Sequence, residues 1–457
     1  MIILNVKDNT FKTDYQFINK KTEIIFYPDN YDINSFYTVI KYNKTLKKLI
    51  FIQDDIGDLK QYYYGMIDNY LIIDTTITTI LTKMPKKEFH DNSIYYFLSC
   101  GFIPNERTLI KNIYKVVPGK TNIYDIKKGK FYFKYKLFFG ISLFLDVKKY
   151  KKILIDSMLK YINENKKIGF TISAGFDSNL LIWLYNKADS KEKDYFCIGG
   201  QKGVNEIPVA KKILKNYSVR NFNYSLVNNQ TLNDYPKIVF LYEGLFYERG
   251  IFLQYELYKL CYKENLNLIL GEGADQILHC SAKKKHNITK LITKEKFSLY
   301  KNCPSELLRY VVLKKSSLLL SRTNNNLIYP YLYKKFRVYN YNLGFYFGYD
   351  KKKHKKVVID EISQDIKTEL NKIGGATEQK ALYKDEVTYN KIKEIVFHSK
   401  FSKIKCEHNT TELSSDSDYL LKILYLIIFE NIFINNNNYD YNYIKTIHLN
   451  DLLGIDL

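Results

Sequence analysis

The sequence predicts an α/β protein in which a strand-rich region over residues 1–140 precedes a doubly wound parallel sheet over residues 146–457. Three observations carry this expectation. Up to about residue 140, short apolar runs alternate with turn residues. Beyond Asp146, apolar runs alternate with helical patterns of about 10–15 residues, the signature of strands joined by crossover helices. Two of those later runs end in small-residue turns, Ser173–Ser178 and Gly271–Asp275.

In the first region Leu49–Gln53, Tyr62–Tyr64, Tyr70–Asp74 and Thr121–Tyr124 read as strands, because apolar and aromatic runs there are bounded by turn formers. In the second, Ile168–Ile172 is a short β-run, Ser173–Phe176 a turn and Asp177–Asn186 an apolar helical stretch. A strand at Tyr195–Ile198, a helix over Asn205–Asn216 and a strand at Phe222–Leu226 follow. Tyr247–Glu264 reads as a helix and Leu266–Leu270 as the next strand. Ligands of such sheets bind outside the carboxyl ends of the strands, and both small-residue turns fall there. No repeat is visible, and Asn435–Asn438 reads as a polar loop tip.

Composition narrows the classes. With 46% hydrophobic residues the 457-residue chain has enough apolar material for two or three folded domains. Its longest apolar run, Ile423–Phe429, is far short of the roughly 20 residues of a membrane span, and Met1–Val6 lacks the features of a signal peptide, so a soluble, cytoplasmic protein is expected. Cysteines at 100, 197, 261, 280, 303 and 406 show no C-x-x-C spacing, and the pair Cys406 and His408 is too small a set for a metal site. The net charge of +22 suggests nucleic acid, but six arginines among 70 basic residues leave 64 lysines, and runs such as Lys351–Lys356 suit a solvated surface. Neither a nucleic acid nor a membrane is therefore expected as a partner.

Ser173-Ala174-Gly175-Phe176-Asp177-Ser178 joins a strand to a helix. Small residues let successive N–H groups face an anion, and the helix start adds partial positive charge. The hydroxyls of Ser173 and Ser178 are possible donors to phosphate. Asp177 suits either a stabilising charge in the first helical turn or a ligand for Mg²⁺ held against a pyrophosphate. There is no G-x-x-x-x-G-K-[ST] loop, which argues against a P-loop NTPase.

This turn resembles the S-G-G-x-D-S loop of the PP-loop ATP pyrophosphatases, and Gly271-Glu272-Gly273-Ala274-Asp275 resembles the second signature of the asparagine synthetase family among them. The resemblance implies a C-terminal PP-loop synthetase domain behind a degenerate Ntn-type αββα glutaminase-like domain. It implies ATP with Mg²⁺ on Asp177 and Asp275, and pyrophosphate on the turn Ser173, Ala174, Gly175 and Ser178. It places Gly271 and Gly273 at the nucleotide and Phe196-Cys197-Ile198 where the family's second strand contacts adenine through its backbone. Asn205-Glu206 matches the start of the family's next helix, and Glu243 an acidic position before the second signature. Lys372-Ile373-Gly374-Gly375 resembles a lysine loop that closes over the phosphates, and equally a helix end capped by glycine. Asp54-Asp55-Ile56-Gly57 with Tyr62-Tyr63 resembles the family's R-D-x-x-G-x-x-P-L-Y-Y segment, and Gly101–Pro104, Thr108 and Val117-Pro118-Gly119 resemble the end of its N-terminal domain.

Departures from the family pattern shape the expected chemistry. Glutamine-hydrolysing members carry a nucleophilic cysteine after the initiator methionine, where this chain has Ile2, so no glutaminase step is expected. Gln53 replaces the arginine of R-D-x-x-G and Lys60 its proline. Gln276 follows Asp275 where asparagine synthetases have glutamate. Their E-x-R-x-P-F-L-D segment aligns with Asn326, Ile328 and Tyr329–Tyr333, which lack its charges and suggest a larger, aromatic pocket. This pattern is similar to members without a glutaminase, such as lasso-peptide cyclases and β-lactam synthetases. It implies adenylation of a small-molecule or peptide carboxylate and transfer to an amine, with Glu272 as base, Lys372 stabilising the transition states and Glu306 as a second carboxylate or a plain surface residue. An ammonia-dependent asparagine synthetase and a non-catalytic scaffold are the alternatives. Ala174, in place of glycine, is costly only where positive φ is required.

Overall fold

The computed structural model describes residues 1–27, 36–54, 56–135, 147–200, 205–277, 308–339, 382, 386–404, 417–436 and 438–454. The period-2 apolar alternation of the first region becomes strands β1 (Ile2–Asn5), β2 (Thr10–Thr13), β3 (Gln16–Asn19), β4 (Glu23–Tyr27), β5 (Thr38–Asn43), β6 (Lys48–Gln53), β7 (Tyr63–Ile67), β8 (Tyr70–Asp74), β9 (Ile113–Lys115), β10 (Lys120–Asp125) and β11 (Lys130–Tyr135). They form two antiparallel sheets, in the orders β2-β1-β8-β7-β9 and β11-β10-β6-β5-β4-β3. Ile2 and Leu4 of β1 meet Ile24 and Phe26 of β4 and Ile40 and Tyr42 of β5 in one buried cluster between the sheets. Helix α1 (Ile77–Leu81) packs on β7 and β8, and α2 (Asp91–Cys100) follows.

After α3 (Val147–Lys160) come β12 (Lys167–Thr171), α4 (Phe176–Ala188), β13 (Lys193–Gly200), α5 (Ile207–Leu214) and β14 (Val219–Val227). Next are α6 (Asn229–Asn233), α7 (Tyr235–Tyr242), α8 (Ile251–Cys261), β15 (Leu266–Ile269), α9 (Ala274–Ile277), α10 (Leu313–Leu320) and β16 (Asn326–Ile328). The five strands are parallel, in the order β14-β13-β12-β15-β16. This is the doubly wound α/β sheet that the sequence predicts.

Two helices start later than periodicity suggests. Tyr247 donates its N–H to the carbonyl of Gly101 at 2.6 Å, which draws its backbone toward the end of α2, and α8 begins only at Ile251. Asn205 accepts from the N–H of Ile207 at 3.1 Å, so its side chain satisfies one of the unpaired donors that a helix start leaves, and α5 begins there, with proline in its first turn.

Helices α11 (Glu386–His398) and α12 (Ser417–Phe429) are the last larger elements among the described residues. One apolar cluster joins Phe97 and Phe102 to Phe240, Tyr255, Tyr425 and Phe429, so both regions share a core. Tyr235 at its centre also donates to the carbonyl of Leu421 at 2.9 Å. Among the described residues no helix is long and apolar enough to cross a membrane. Cys197 and Cys261 carry free, buried thiols, and Cys280, Cys303, Cys406 and His408 lie outside the described residues, as does the run Lys351–Lys356.

Candidate nucleotide and carboxylate site

The strand order reverses direction at β12. The chain moves outward through β13 and β14 on one side and returns to place β15 and β16 on the other. The crevice beyond the carboxyl ends of β12 and β15 is therefore the topological switch point, the usual ligand position in an open α/β sheet. The turn 173–178 leaves β12 and the turn 271–275 leaves β15, so both line one cavity of about 350 Å³. That size is in the range of small-molecule sites.

The first turn is held by its own side chains. Ser173 Oγ lies 2.8 Å from Ser178 Oγ and accepts from the N–H of Gly175 at 3.1 Å. Asn179 donates its amide to the carbonyls of Ser173 and Gly175 at 2.8 and 2.7 Å. These bonds occupy carbonyls of the loop and leave the start of α4, the positive end of its dipole, beside the cavity. Gly175 is the N-cap of α4, with φ −79°. Ala174 is buried and is not among the positive-φ residues, so its Cβ carries no left-handed strain.

The second turn approaches the first closely. A Cβ on Gly271 would stand 3.2 Å from Ser178 Cα, tighter than most real contacts, and glycine there lets the two turns meet. Gly273 has φ +87°, and a Cβ would fall 2.1 Å from Leu332 Cδ2. Only glycine fits that backbone and that neighbour. Asp275 opens α9, as Asp177 opens α4, and both partly exposed carboxylates line the cavity. Tyr331 ties them further: its Oη donates to the carbonyl of Asp177 at 2.8 Å. Burial, with the negative charges of Asp177 and Asp275 among the smaller causes, pushes its phenol pKa well above the ordinary value.

Glu272 also lines the cavity and accepts from Gln254 Nε2 at 3.0 Å. Burial raises its carboxyl pKa, Lys315 opposes the rise and Glu248 adds to it. Lys315 in turn sits 3.4 Å from Glu248. Such an environment suits a carboxylate that takes up a proton.

Of the residues singled out in the sequence, Ser173, Gly175, Asp177, Ser178, Phe196, Ile198, Gly271, Glu272 and Asp275 meet at this cavity. Glu206 lines it too. Strand alternation turns Cys197 to the opposite face, where burial pushes its thiol up to about 12. Ala174 and Gly273 stand behind the wall and shape it. Lys372, Ile373, Gly374, Gly375, Glu306 and Asp55 lie outside the described residues. The aromatic run does not widen the cavity as expected: Tyr329 and Tyr331 are fully buried, and Tyr333 stacks on Tyr161 with ring centres 4.0 Å apart. Aromatic bulk here fills the core. Glu243 sits apart from the cavity, accepting from the N–H of Ile77 at 3.3 Å.

Sequence reasoning missed Asn179, Gln254 and Lys315. Asn179 had a local signal, since a short amide in a first helical turn often bonds back to the loop. The other two come from helices that the fold alone brings to the site.

Among the described residues no group of three or more His, Cys, Asp or Glu side chains forms a metal cage. Two carboxylates on one cavity suit a hard cation that takes most of its ligands from phosphate and water, which is the habit of Mg²⁺.

The asparagine synthase family model matches residues 149–394. A putative glutamine-hydrolysing asparagine synthetase of Methanocaldococcus jannaschii is 23% identical over 242 residues, 50% of this chain and 47% of that protein. Glutamine-hydrolysing asparagine synthetase 1 of Bacillus subtilis is 22% identical over 288 residues, 60% of this chain and 44% of that protein. The chain thus spans about half the length of the curated relatives it matches. A solved structure of the U34-tRNA thiolase NcsA from Methanococcus maripaludis matches 61% of this chain and 86% of its own at 13% identity, with a TM-score of 0.25. The family match covers more than half of the 457 residues and contains both turns of the cavity, and the chain belongs to the asparagine synthase family.

Proposed function

We propose that this protein is an ATP-dependent carbon–nitrogen ligase that adenylates a substrate carboxylate with release of pyrophosphate and then passes the acyl group to an amine with release of AMP, without hydrolysing glutamine. The observation that carries the reading is the convergence of Asp177 and Asp275, each at a helix start, on one cavity at the switch point of the sheet. A triphosphate fits the start of α4, and Mg²⁺ would be held there by the two carboxylates. When bound, the ion offsets charge on the departing pyrophosphate.

The chain's own residues take the remaining parts. Ser173 and Ser178 orient phosphate oxygens through their hydroxyls, and the walls formed by Phe196, Ile198 and Leu257 exclude water from the nucleotide. Glu272, held by Gln254, accepts the proton of the attacking amine at its carboxylate. The lost charges of the 326–333 segment argue against aspartate as the substrate, and a carboxylate whose amine belongs to the same molecule, as in macrolactam formation, suits the pattern.

ATP–pyrophosphate exchange tests this. With candidate carboxylates and Mg²⁺, the wild-type chain exchanges pyrophosphate into ATP and Asp177→Ala does not. Undiminished exchange in that variant overturns the assignment. Formation of asparagine from aspartate, ATP and ammonium selects the ammonia-dependent alternative, and no Mg²⁺-dependent ATP binding selects the scaffold.

A further inference from the structure

The loop between β6 and β7 belongs to the N-terminal region, yet residues of the C-terminal region grip it. Asp54, 2% exposed, accepts from Arg337 Nη2 at 2.7 Å, and Arg337, 5% exposed, also donates Nε to the carbonyl of Leu332 at 2.6 Å. Lys314 of α10 donates Nζ to the carbonyls of Asp58 and Lys60, each at 2.6 Å. Ser317, one helical turn on, donates to the carbonyl of Leu59 at 2.8 Å. Residues 57 and 58 are braced locally: Thr38 donates to Asp58 Oδ2 at 2.6 Å, and Gly57, at φ +102°, packs against Pro118.

The elements that grip the loop also reach the carboxylate-bearing turns. Leu332 fills the space that Gly273 leaves, and Tyr331 bonds to the carbonyl of Asp177. Lys315, next to Lys314 on α10, pairs with Glu248, and its charge acts on Glu272. A short run of packed and hydrogen-bonded groups thus leads from Asp54 through Arg337 to residues 331–332, and from there to both turns.

We propose that Asp54 and the segment 56–60 position Asp177 and Asp275, with Asp54 and Arg337 as the positioning residues. This rests on the proposed function only in what the two carboxylates hold. A buried ion pair contributes little net stability over an apolar replacement, because desolvation offsets its attraction. Its use lies in fixing geometry: the forked guanidinium sets the direction of the 332 carbonyl and thereby the packing of Leu332 on Gly273.

The full-length chain is compared with Asp54→Asn, Arg337→Gln and Arg337→Lys. Glu243→Gln serves as control, since Glu243 bridges the N–H of Ile77 and Arg322 across the same two regions without touching residues 329–337. Hydrogen–deuterium exchange is read over 271–277 and, for comparison, over 219–227. Calorimetry reads the binding of Mg²⁺ with α,β-methylene-ATP. Asp54→Asn and Arg337→Gln are expected to speed exchange over 271–277 by about tenfold while 219–227 is unchanged. They are expected to weaken the Mg²⁺–nucleotide by about tenfold, with Arg337→Lys recovering part of the loss and Glu243→Gln near wild type. Should Asp54→Asn not fold, the two Arg337 variants carry the same comparison. Wild-type exchange over 271–277 in the Arg337 variants, or a rise there no greater than at 219–227, overturns the proposal. A wild-type chain that does not bind the nucleotide refutes the functional reading, and the exchange comparison still decides the coupling.

Discussion

The phenol of Tyr331 donates a 2.8 Å hydrogen bond to the carbonyl of Asp177, across 154 positions of sequence. It joins the segment after β16 to the first turn of α4. Tyr331→Phe keeps the buried ring and removes only the donor. The carbonyl of Asp177 then loses a buried partner, at a cost of about 1–2 kcal/mol. Thermal unfolding is expected to show that loss, and calorimetry with Mg²⁺ and α,β-methylene-ATP a weaker nucleotide. Unchanged affinity in a destabilised variant would make Tyr331 a purely structural tie.

Ala174 gives a sharper contrast between sequence and structure. Against the family's glycine, alanine invites the idea of a strained and weakened loop. The residue is buried and has no positive φ, so no strain is present to relieve. Ala174→Gly is therefore expected to destabilise the chain, by about 0.5–1 kcal/mol from added freedom in the unfolded state, and not to tighten nucleotide binding. Denaturant unfolding beside a nucleotide titration checks both parts. A tighter nucleotide would restore the idea of a compromised loop.

Gly273 is the opposite case. With φ +87° and Leu332 Cδ2 at 2.1 Å from the position of a Cβ, Gly273→Ala meets both backbone strain and a clash in one step. The strain alone is about 1–2 kcal/mol, and overpacking adds about 1–3 kcal/mol. Leu332→Ala in the same chain removes the clash and leaves the strain. Because Leu332→Ala itself empties a fully buried site, at about 2–5 kcal/mol, the double variant is expected in denaturant titrations to be less destabilised than the sum of the two single variants.

How much of this was legible in the sequence follows from the range of the interactions involved. The turn 173–178 sits between a strand and a helix of adjacent sequence, and local patterning located it, as it located Gly271–Asp275 after β15. The parallel-sheet reading put both turns at the same edge of the sheet, and only the family resemblance brought them to one site, because β12 and β15 become neighbours through a reversal of strand order that no local pattern shows. Gln254 and Lys315 gave no such sign. Each sits in an ordinary helical pattern, and only the packing of α8 and α10 brings them toward Glu272. The aromatic run Tyr329–Tyr333 misled because loss of charge was read as an enlarged pocket, whereas Tyr329 and Tyr331 turn inward and fill the core. Asp54 was visible as part of a motif, and its partner Arg337, 283 positions away, was not.

Glu243 yields a pH prediction. It is 5% exposed, and burial raises its carboxyl to about 7, with Arg322, 3.7 Å away, and the N–H of Ile77 opposing the rise. A raised carboxyl pKa means that the folded chain binds the proton more tightly than the unfolded one. The associated stability is fully present below the ordinary value of 4.5 and is lost as the pH climbs through about 7. From the size of the shift the full loss is on the order of 3 kcal/mol. Glu243→Gln carries no titrating proton and escapes it, so the difference in unfolding free energy between wild type and variant should move in the variant's favour between pH 5 and pH 7.5. Denaturant unfolding at those two values measures that difference directly. A difference that stays constant would mean that Arg322 holds Glu243 ionised throughout, and that the contact between the two regions is a true ion pair.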